Sequence, residues 1–376
     1  MDNSTSVNSQ RLIRGFRFSL EEAAGAFGDY GTLLPIVFAV AAVTEMDLSL
    51  MLIFFGAAYI VTGLVYRLPI PVEPMKAVGI LAIGGGLSAA EIAGVGLTIG
   101  ALLLVIALTG AIEPIRRALP LPVIRGIQLG LAASLILQSG RMGLGDPYVA
   151  AGAIIVILVV NRLSDREVSA LVVLAIGIVL GIIRSGPPAL ATASLPSWSL
   201  PAPEALVRGF LLGTVPQLPL TLGNAVLATS LMVADLSNTR VKDKGLLLSM
   251  SALCLAGAPF GAFPVCHGAG GLAAQYRFGA RSGGSNIISG VVLVAVALLF
   301  ATPELGAVLP FGVLAALLLF SGIALGKSGW KSTDRRITLL VAGLAVLVNL
   351  PVAVAVGAGA TWVLQLLEVR REDAPS

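Results

Sequence analysis

Apolar residues follow one another along this chain in long stretches, and short clusters of charged and turn-forming residues separate the stretches. A helix that crosses a bilayer takes about 20 mainly apolar residues, so this pattern predicts a bundle of membrane helices. We predict fourteen segments, of which the eighth is overlong because Pro216 and Pro219 distort it. Those of the first half are 23–43, 48–66, 74–87, 92–112, 121–139, 148–161 and 168–184, and those of the second half are 205–236, 245–259, 267–276, 285–301, 310–326, 336–350 and 352–369.

Segments three and ten differ from the others because proline keeps their first residues extended. The stretches PIPVEPMKAVGILAI (69–83) and FPVCHGAGGLAAQY (263–276) begin beside proline, and only afterwards offer a short run that can be helical. Unpaired backbone groups at membrane depth are tolerated where they line a cavity or are buried in protein. We therefore predict two broken half-helices, each preceded by a short extended strand, that face each other across a binding site.

The second half of the chain repeats the proline- and glycine-containing motifs of the first half at an offset of about 190 residues. GDYGTLLP (28–35) corresponds to TVPQLPLTLGN (214–224), PVEPMK (71–76) to PVCHGAGG (264–271), and LPLPVIRGIQLG (119–130) to LPFGVLAALLL (309–319). Because each half holds an odd number of segments, the second copy has the opposite orientation in the membrane. We predict an all-α membrane protein of two inverted seven-segment repeats, 21–190 and 200–369, after a cytoplasmic N-terminal tail of residues 1–20.

Composition agrees with this architecture. The 376 residues are 57% hydrophobic and 12% charged, with a mean hydropathy of +0.96. Most of the 24 Lys and Arg residues fall in alternate loops, which predicts that both termini are cytoplasmic and that the protein lies in the inner (plasma) membrane. The net charge of +4 thus reflects topology, and no basic patch with interleaved aromatic residues indicates a nucleic-acid partner.

Three charged residues lie inside predicted segments, where charge is costly and usually functional: Asp29, Glu73 and Lys76. Two helix N-termini with about half a positive unit each, together with Lys76, would balance a dianion. Such an anion favours a proton on a nearby carboxyl group, so we predict proton coupling through Glu73 and, second, Asp29. A structural ion pair between Glu73 and Lys76, and an Asp29 cap on the turn at Gly31, stay open as alternatives.

Polar and small residues beside these charges complete the candidate anion site. Hydroxyl, amide and imidazole groups donate hydrogen bonds to oxyanion oxygens, and glycines let a ligand approach the backbone. Each residue also has a structural alternative, which is bridging between helices for the polar side chains, close helix packing for the glycines and a cap for His267. The candidates are Tyr30, Gly31, Thr32, Met75, Lys76, Gln217, Asn224, His267, Gly268, Ala269 and Gly270.

The sequence indicates neither a catalytic site nor a metal site. Cys254 and Cys266 both fall in membrane segments, and the neighbouring Cys266 and His267 have no third partner in sequence. No nucleophile, base and orienting group converge. We expect no cofactor and predict that the protein is not an enzyme.

The stretches GDYGTLLPIVFAV, PVEPMKAVGILA and PQLPLTLGNAVLATSLMVADL resemble the three signature stretches of the molybdate transporter family, which is related to the sulfate permeases. The resemblance spans essentially the whole chain, although the family often has glutamine at the position of Glu73. It implies the fold shared with sulfate and uracil permeases, in which a core domain (about 21–115 and 204–302) moves against a gate domain (about 119–190 and 308–369). It also implies an inorganic oxyanion held between segments three and ten, and a homodimer formed through the gate domains.

We therefore predict a secondary active transporter of a tetrahedral oxyanion, with molybdate as the first candidate and sulfate as the second. We expect transport to be coupled to protons and to use elevator-type alternating access. Two alternatives use the same fold. A nucleobase:proton symporter is disfavoured because segments eight and ten offer Gln217, Asn224 and His267 where uracil permeases usually have a carboxylate. A passive anion channel would be excluded by saturable uptake.

Overall fold

A computed structural model of the chain describes residues 15–114, 120–163, 169–190, 197–237, 239–300, 304–349 and 352–362. Most of the predicted N-terminal tail, and the last residues of the predicted final segment, lie outside this described part. In the first half the helices are α1 (Leu20–Ala26), α2 (Tyr30–Val43), α3 (Leu48–Tyr66), α4 (Lys76–Ile83), α5 (Ala89–Thr109), α6 (Leu121–Gly145), α7 (Pro147–Leu163) and α8 (Ser169–Ser185), with strand β1 (Glu73–Pro74) before α4. In the second half they are α9 (Pro203–Ser237), α10 (Asp243–Gly257), α11 (Ala269–Arg277), α12 (Gly283–Leu299), α13 (Glu304–Ala307), α14 (Phe311–Gly329), α15 (Arg335–Leu347) and α16 (Val352–Trp362), with strand β2 (Val265–Cys266) before α11.

The helices have the length and composition of membrane helices. Within the described residues, five are long and apolar enough to cross a bilayer: Leu20–Val43 (taken across α1 and α2), α3, α5, α6 and α9. Five shorter apolar helices accompany them, namely α7, α8, α12, α14 and α16. Large apolar side chains such as Leu144, Ile183 and Trp362 are exposed on the outer faces, where lipid replaces water. The predicted mainly helical membrane protein is confirmed.

Helices of the two halves pack against each other in pairs. Helix α3 lies along α12, α5 lies along α10, and α6 lies along α14 and α15. Glycine permits the closest of these contacts, because a Cβ on Gly63 would lie 2.6 Å from the carbonyl oxygen of Gly283, and one on Gly56 would lie 2.7 Å from that of Gly290. The backbones of α3 and α12 therefore touch without side chains between them.

The first predicted segment, 23–43, is not one continuous helix. It is divided into α1 and α2 by a turn at residues 27–29, in which the N–H groups of Phe27, Gly28 and Tyr30 each donate to the carbonyl three residues earlier. An apolar run does not reveal such a turn because its residues remain suitable for the membrane. The turn matters because it contains Asp29.

Helix α9 spans 35 residues without a break, in agreement with the overlong predicted segment. Two stretches of it, Gly209–Thr214 and Thr221–Ala228, are π-helical, and they flank the α-helical turns Val215–Leu220 that contain Pro216 and Pro219. Proline has no N–H to donate and its ring clashes with the preceding turn, so the hydrogen-bond ladder widens around these residues. The widened helix contributes Gln217 and Asn224 to the interior.

Candidate functional site

The two short strands bring two helix starts together. β1 and β2 pair antiparallel, with Glu73 opposite Cys266 and Pro74 opposite Val265, and Met75 N–H donates to the Pro264 carbonyl at 3.0 Å. Helices α4 and α11 begin directly after these strands. We call this pair of strands the crossing. Because the strands run in opposite directions, the two helices leave the crossing in opposite directions, and their N-termini lie on either side of it.

Neither helix is capped by its own N-cap residue, Met75 in α4 and Gly268 in α11. The start of α4 receives an acceptor from a distant helix instead, since Ala77 N–H donates to Gln217 Oε1 at 2.9 Å. The Gln217 amide nitrogen donates to Thr221 Oγ1 at 3.0 Å, which fixes the orientation of the amide. Gln217 therefore ties the α-helical turns between the two π-helical stretches of α9 to the first turn of α4.

A cavity of about 780 Å³ lies beside this crossing. One wall of the cavity is formed by α2, by α9, and by the crossing with the helix starts that follow it. Its lining residues are Gly31, Thr32, Glu73, Lys76, Gln217, Asn224, Cys266 and Gly270. The polar residues of the other wall are Gln128 of α6, Asn161 of α7, Ser169 of α8, and Ser321 and Lys327 of α14, and Arg277 of α11 lines the cavity as well. The cavity thus lies between two groups of helices, and Glu73 and Lys76, two of the three predicted charged residues, line it.

Lys76 and Glu73 form an ion pair at the start of α4. Lys76 Nζ donates to Glu73 Oε2 at 2.7 Å, and the Lys76 side chain keeps 25% exposure whereas that of Glu73 has none. The other oxygen, Glu73 Oε1, has no hydrogen-bond partner in the described part of the chain. The structural ion pair left open by the sequence is therefore present, and both of its members line the cavity.

Asp29 lies in the turn between α1 and α2 and is 1% exposed. Tyr59 Oη donates to Asp29 Oδ2 at 2.9 Å, while Asp29 Oδ1 has no hydrogen-bond partner among the described residues. Asp29 occupies the N-cap position of α2 but its side chain makes no capping bond. Its backbone is helical (φ −90°, ψ −7°) and not extended, which explains why the capping alternative is not realised.

The glycines at the start of α11 have different surroundings. A Cβ on Gly268 would collide with Glu73 Oε2, and one on Gly271 would lie 2.7 Å from both Asp29 Cγ and Glu73 Oε1. Gly270 has open space at the same position and lines the cavity. A ligand can therefore come close to the backbone at Gly270. At Gly268 and Gly271 carboxyl groups of the protein already fill that space.

Five of the residues predicted to bind the substrate do not line this cavity, and neither does Asp29: the five are Tyr30, Met75, His267, Gly268 and Ala269. Tyr30 Oη donates to the Ser289 carbonyl at 3.1 Å, and Met75 is fully buried. His267 is fully buried too, with Nδ1 2.8 Å from the Pro71 carbonyl oxygen and Nε2 2.7 Å from Ser249 Oγ. Since both ring nitrogens have partners, His267 joins the two extended segments to α10.

Several residues that hold the site were not predicted from sequence. Tyr59 binds Asp29, and Thr229 Oγ1 donates to the His267 carbonyl at 2.6 Å. Asn286 Nδ2 donates to the Ile70 carbonyl at 2.5 Å and to Thr62 Oγ1 at 3.1 Å. Each of these polar residues lies within an apolar helix, which was the available signal, and each binds extended backbone or a site carboxylate.

A second cavity, of about 870 Å³, lies at the opposite end of α2. It is lined by residues of α2, α3, α6, α8 and α14, and it contains the ion pair between Arg184 and Asp146 at 2.8 Å. Helix α14 contributes Leu317 to the first cavity and Leu314 to the second, which are about one helical turn apart. A thin apolar layer thus separates two cavities between the same groups of helices.

The described residues contain no group of three or more His, Cys, Asp or Glu that could hold a metal ion. The site offers two helix N-termini, the Lys76 cation, two buried carboxyl groups and neutral donors, and Arg277 and Lys327 add positive charge elsewhere in the cavity lining. This set suits an anion and a proton better than a metal ion.

Comparison with known proteins gives a consistent result. A family described as "Molybdate transporter of MFS superfamily" matches residues 21–135 and 209–325. The chain is 33% identical to Molybdate transporter 2 of Arabidopsis thaliana, over 94% of this chain and 89% of that protein. It is 32% identical to Molybdate transporter 1 of the same organism, over 83% of this chain and 80% of that protein.

Among solved structures, the fold is similar to the transmembrane domain of the cyanobacterial bicarbonate transporter BicA. The TM-score is 0.66 at 17% identity, and the match covers 93% of this chain and 97% of that one. At this identity the likeness concerns the fold alone.

Proposed function

This chain belongs to the molybdate transporter family, and from that membership we propose that it is a secondary active transporter of a tetrahedral oxyanion. Proteins of this family are transporters and not enzymes. Molybdate is the substrate that the names of the relatives indicate, and sulfate has the same shape and charge. The observation that carries the proposal is Lys76, a cation in the first turn of α4 at the wall of the 780 Å³ cavity.

The proposed anion site lies beside Lys76 at the positive N-terminal end of α4, where Gln217 already accepts from the Ala77 N–H. Thr32 and Asn224 line the same cavity and carry groups that donate to oxyanion oxygens. Gly270 brings the N-terminus of α11 to the cavity, with open space for an approaching ligand. The positive ends of two helices and one lysine thus oppose the two negative charges of the substrate.

The ion pair between Lys76 and Glu73 supports proton coupling. An anion that draws the Lys76 ammonium toward itself leaves Glu73 buried without its cation. Breaking a buried ion pair in this way costs about 3–5 kcal/mol. A proton on Glu73 removes that cost, so we propose that the anion and a proton are carried together.

For the transport cycle we propose fourteen crossings in two inverted seven-segment repeats. The helix pairs support the inversion, because a two-fold rotation that exchanges the halves converts the pair α3 with α12 into the pair α10 with α5. The two cavities support elevator-type movement of a core domain (about 21–115 and 204–302) against a gate domain (about 119–190 and 308–369). Sliding of the core would open the apolar layer at Leu314 and Leu317 to one side at a time.

The test is uptake of radiolabelled molybdate by purified protein in proteoliposomes, with sulfate, tungstate and uracil as competitors. We expect saturable uptake that tungstate and sulfate inhibit and uracil does not. Lys76→Gln should lower uptake on the order of 30-fold or more at low molybdate concentration, since removing one partner of a hydrogen-bonded charge pair weakens binding by about 2–5 kcal/mol and each 1.4 kcal/mol is about tenfold.

Glu204→Gln is the matched control, because Glu204 is exposed at the start of α9 and its carboxylate lies outside the cavity. It should transport like the wild-type protein. Wild-type rates in Lys76→Gln would contradict the site, competition by uracil would favour the nucleobase symporter, and uptake that never saturates would favour a channel.

A further inference from the structure

Asp29 and Glu73 are two buried carboxyl groups, and each has one oxygen with a hydrogen-bond partner and one without. Tyr59 donates to Asp29 Oδ2 at 2.9 Å, and Lys76 donates to Glu73 Oε2 at 2.7 Å. Asp29 Oδ1 and Glu73 Oε1 have no partner among the described residues, although the side chains are 1% and 0% exposed. A buried carboxylate oxygen without a donor is unfavourable, so the pair is one hydrogen short.

The two oxygens without a partner face the same place, above the Cα atom of Gly271. A Cβ on Gly271 would lie 2.8 Å from Asp29 Oδ1 and 2.7 Å from Glu73 Oε1. Both oxygens therefore lie within 2.8 Å of one point, which makes the two carboxyl groups close neighbours. Two negative charges this close repel each other strongly in a low-dielectric site, and one proton between them removes that repulsion.

The groups around the pair favour a proton over a metal ion as the occupant. Lys76 supplies one positive charge beside the pair. The other titratable neighbours are Tyr30, Tyr59, Cys266 and His267, and α9 presents the neutral Gln217 and Asn224. A hard metal cation takes about six oxygen ligands, whereas this place offers two carboxylate oxygens. One proton between two oxygens satisfies both without further ligands.

We propose that Asp29 and Glu73 hold a single proton between them, as a carboxyl–carboxylate pair above Gly271, and that this pair is the proton site of the transport cycle. The proposal rests on the proposed function, and it replaces Glu73 alone as the proton carrier. Glu73 lines the cavity and Asp29 does not, so the proton enters and leaves through Glu73. Asp29, with its second oxygen bound by Tyr59, holds the shared hydrogen bond in place.

If the two carboxyl groups share one proton, Asp29→Asn and Glu73→Gln should have the same effect on proton coupling. In Asp29→Asn the new amide donates to Glu73 Oε1, and in Glu73→Gln the new amide donates to Asp29 Oδ1. Either amide supplies the missing hydrogen permanently, so the pair no longer needs a proton. Each single variant should therefore lose proton coupling completely, and the double variant should lose nothing more.

The transport experiment measures molybdate uptake into proteoliposomes with and without an inward proton gradient, together with proton entry by a pH-sensitive dye. We expect the gradient to stimulate the wild-type protein and to stimulate neither Asp29→Asn nor Glu73→Gln, while both variants still bind molybdate. Stimulation that persists in Asp29→Asn would overturn the shared proton and leave Glu73 as the sole carrier. Stimulation by sodium at clamped pH would also overturn it, in favour of a cation at the same place.

An infrared measurement on purified protein in lipid nanodiscs is independent of transport. The wild-type protein should show the carbonyl stretch of one protonated carboxyl group, shifted in D₂O, and this band should be absent from Asp29→Asn and from Glu73→Gln. Gly271→Ala should remove or shift the band because its methyl group lies between the carboxyl groups. Gly152→Ala is the matched control, since nothing lies within 4 Å of a Cβ there.

The two readouts separate this inference from the proposed function. If the band behaves as expected but the wild-type protein takes up no molybdate, the transport assignment fails and the shared proton stands. If uptake is driven by protons and the band survives either amide substitution, the shared proton fails and the transport assignment stands.

Discussion

The starts of α4 and α11 occupy corresponding positions in the two halves, yet their chemistry differs. The start of α4 carries its own cation, Lys76, and its Ala77 N–H is bound by Gln217. The start of α11 has no charged side chain of its own in its first turn, and two carboxyl groups lie against Gly268 and Gly271. Two units of the same form, a short strand followed by a short helix, thus differ in charge.

This difference changes the charge balance expected from sequence alone. Two helix ends and one lysine were expected to meet an incoming dianion. In the structure the carboxyl groups of Asp29 and Glu73 lie against the start of α11 and offset its positive end electrostatically, so the start of α4 with Lys76 is the helix end left to meet the anion. A proton on the carboxyl pair would free the end of α11 for the substrate, which links the proton to the anion through geometry.

The largest expected effect comes from removing the space at the start of α11. Gly268→Ala places a methyl group against the Glu73 carboxylate, and the neighbouring strand leaves little room for that carboxylate to move. We expect molybdate uptake to fall to background, and a loss of stability of about 1–3 kcal/mol, as is usual for overpacking. Thermal unfolding in detergent and proteoliposome uptake check this.

Gly270→Ala is the control for that substitution, since its Cβ meets open space. It should fold with wild-type stability and weaken molybdate binding only by the volume of one methyl group in the cavity. Equal damage from the two alanines would show that helix propensity, and not the carboxyl contact, governs this turn.

An intermediate effect is expected from charging the start of α4. Gln217→Glu replaces the amide that accepts from Ala77 N–H with a carboxylate, which satisfies the helix end as an anion would. We expect molybdate affinity to fall on the order of 10- to 100-fold, because like charges in a confined site cost a few kcal/mol. Isothermal titration calorimetry measures the affinity.

Asn224→Asp adds the same charge to the same cavity as Gln217→Glu does. Asn224 lies on the same helix, about two turns from the residue that contacts Ala77. A smaller loss of affinity in Asn224→Asp than in Gln217→Glu would support the special role of the α4 start. Identical losses would mean that only the net charge of the cavity matters.

The smallest effect on the substrate is expected at His267. His267→Gln removes an imidazole that bridges the Pro71 carbonyl and Ser249, at a cost of about 1–3 kcal/mol of stability if a buried group is left unpaired. Molybdate affinity should stay within about twofold of wild type, because the ring lies outside the cavity lining. A large loss of affinity with unchanged thermal stability would place His267 at the substrate after all.

Much of the helical layout could be predicted from apolar runs. The predicted ends of α3, α8 and α14 agree with the structure to within a few residues, because lipid and packing both select the same apolar stretch. Two errors are instructive. The turn at residues 27–29 gave no signal in hydropathy, and α6 continues to Gly145 through polar residues that the predicted end at 139 left out.

The candidate site was predictable in its charges but not in its contacts. Glu73, Lys76 and Gln217 stood out because ionised and amide side chains are rare in apolar segments. Tyr59 did not, because a tyrosine in an apolar helix has many packing roles. That Tyr59 binds Asp29 depends on the approach of α3 to the turn between α1 and α2.

The sequence by itself determined that this protein lies in a membrane and that two proline-containing segments are extended before they become helical. It also determined which few charged residues are buried. Those properties depend on local composition and on backbone sterics, which a linear pattern records. Only the tertiary structure decided that Gly268 and Gly271 receive carboxyl groups while Gly270 faces open space, and that two carboxylate oxygens from distant segments meet without a donor. Such pairings depend on how helices far apart in the chain approach one another, and the free energy of a buried charge is set by those neighbours and not by its place in the sequence.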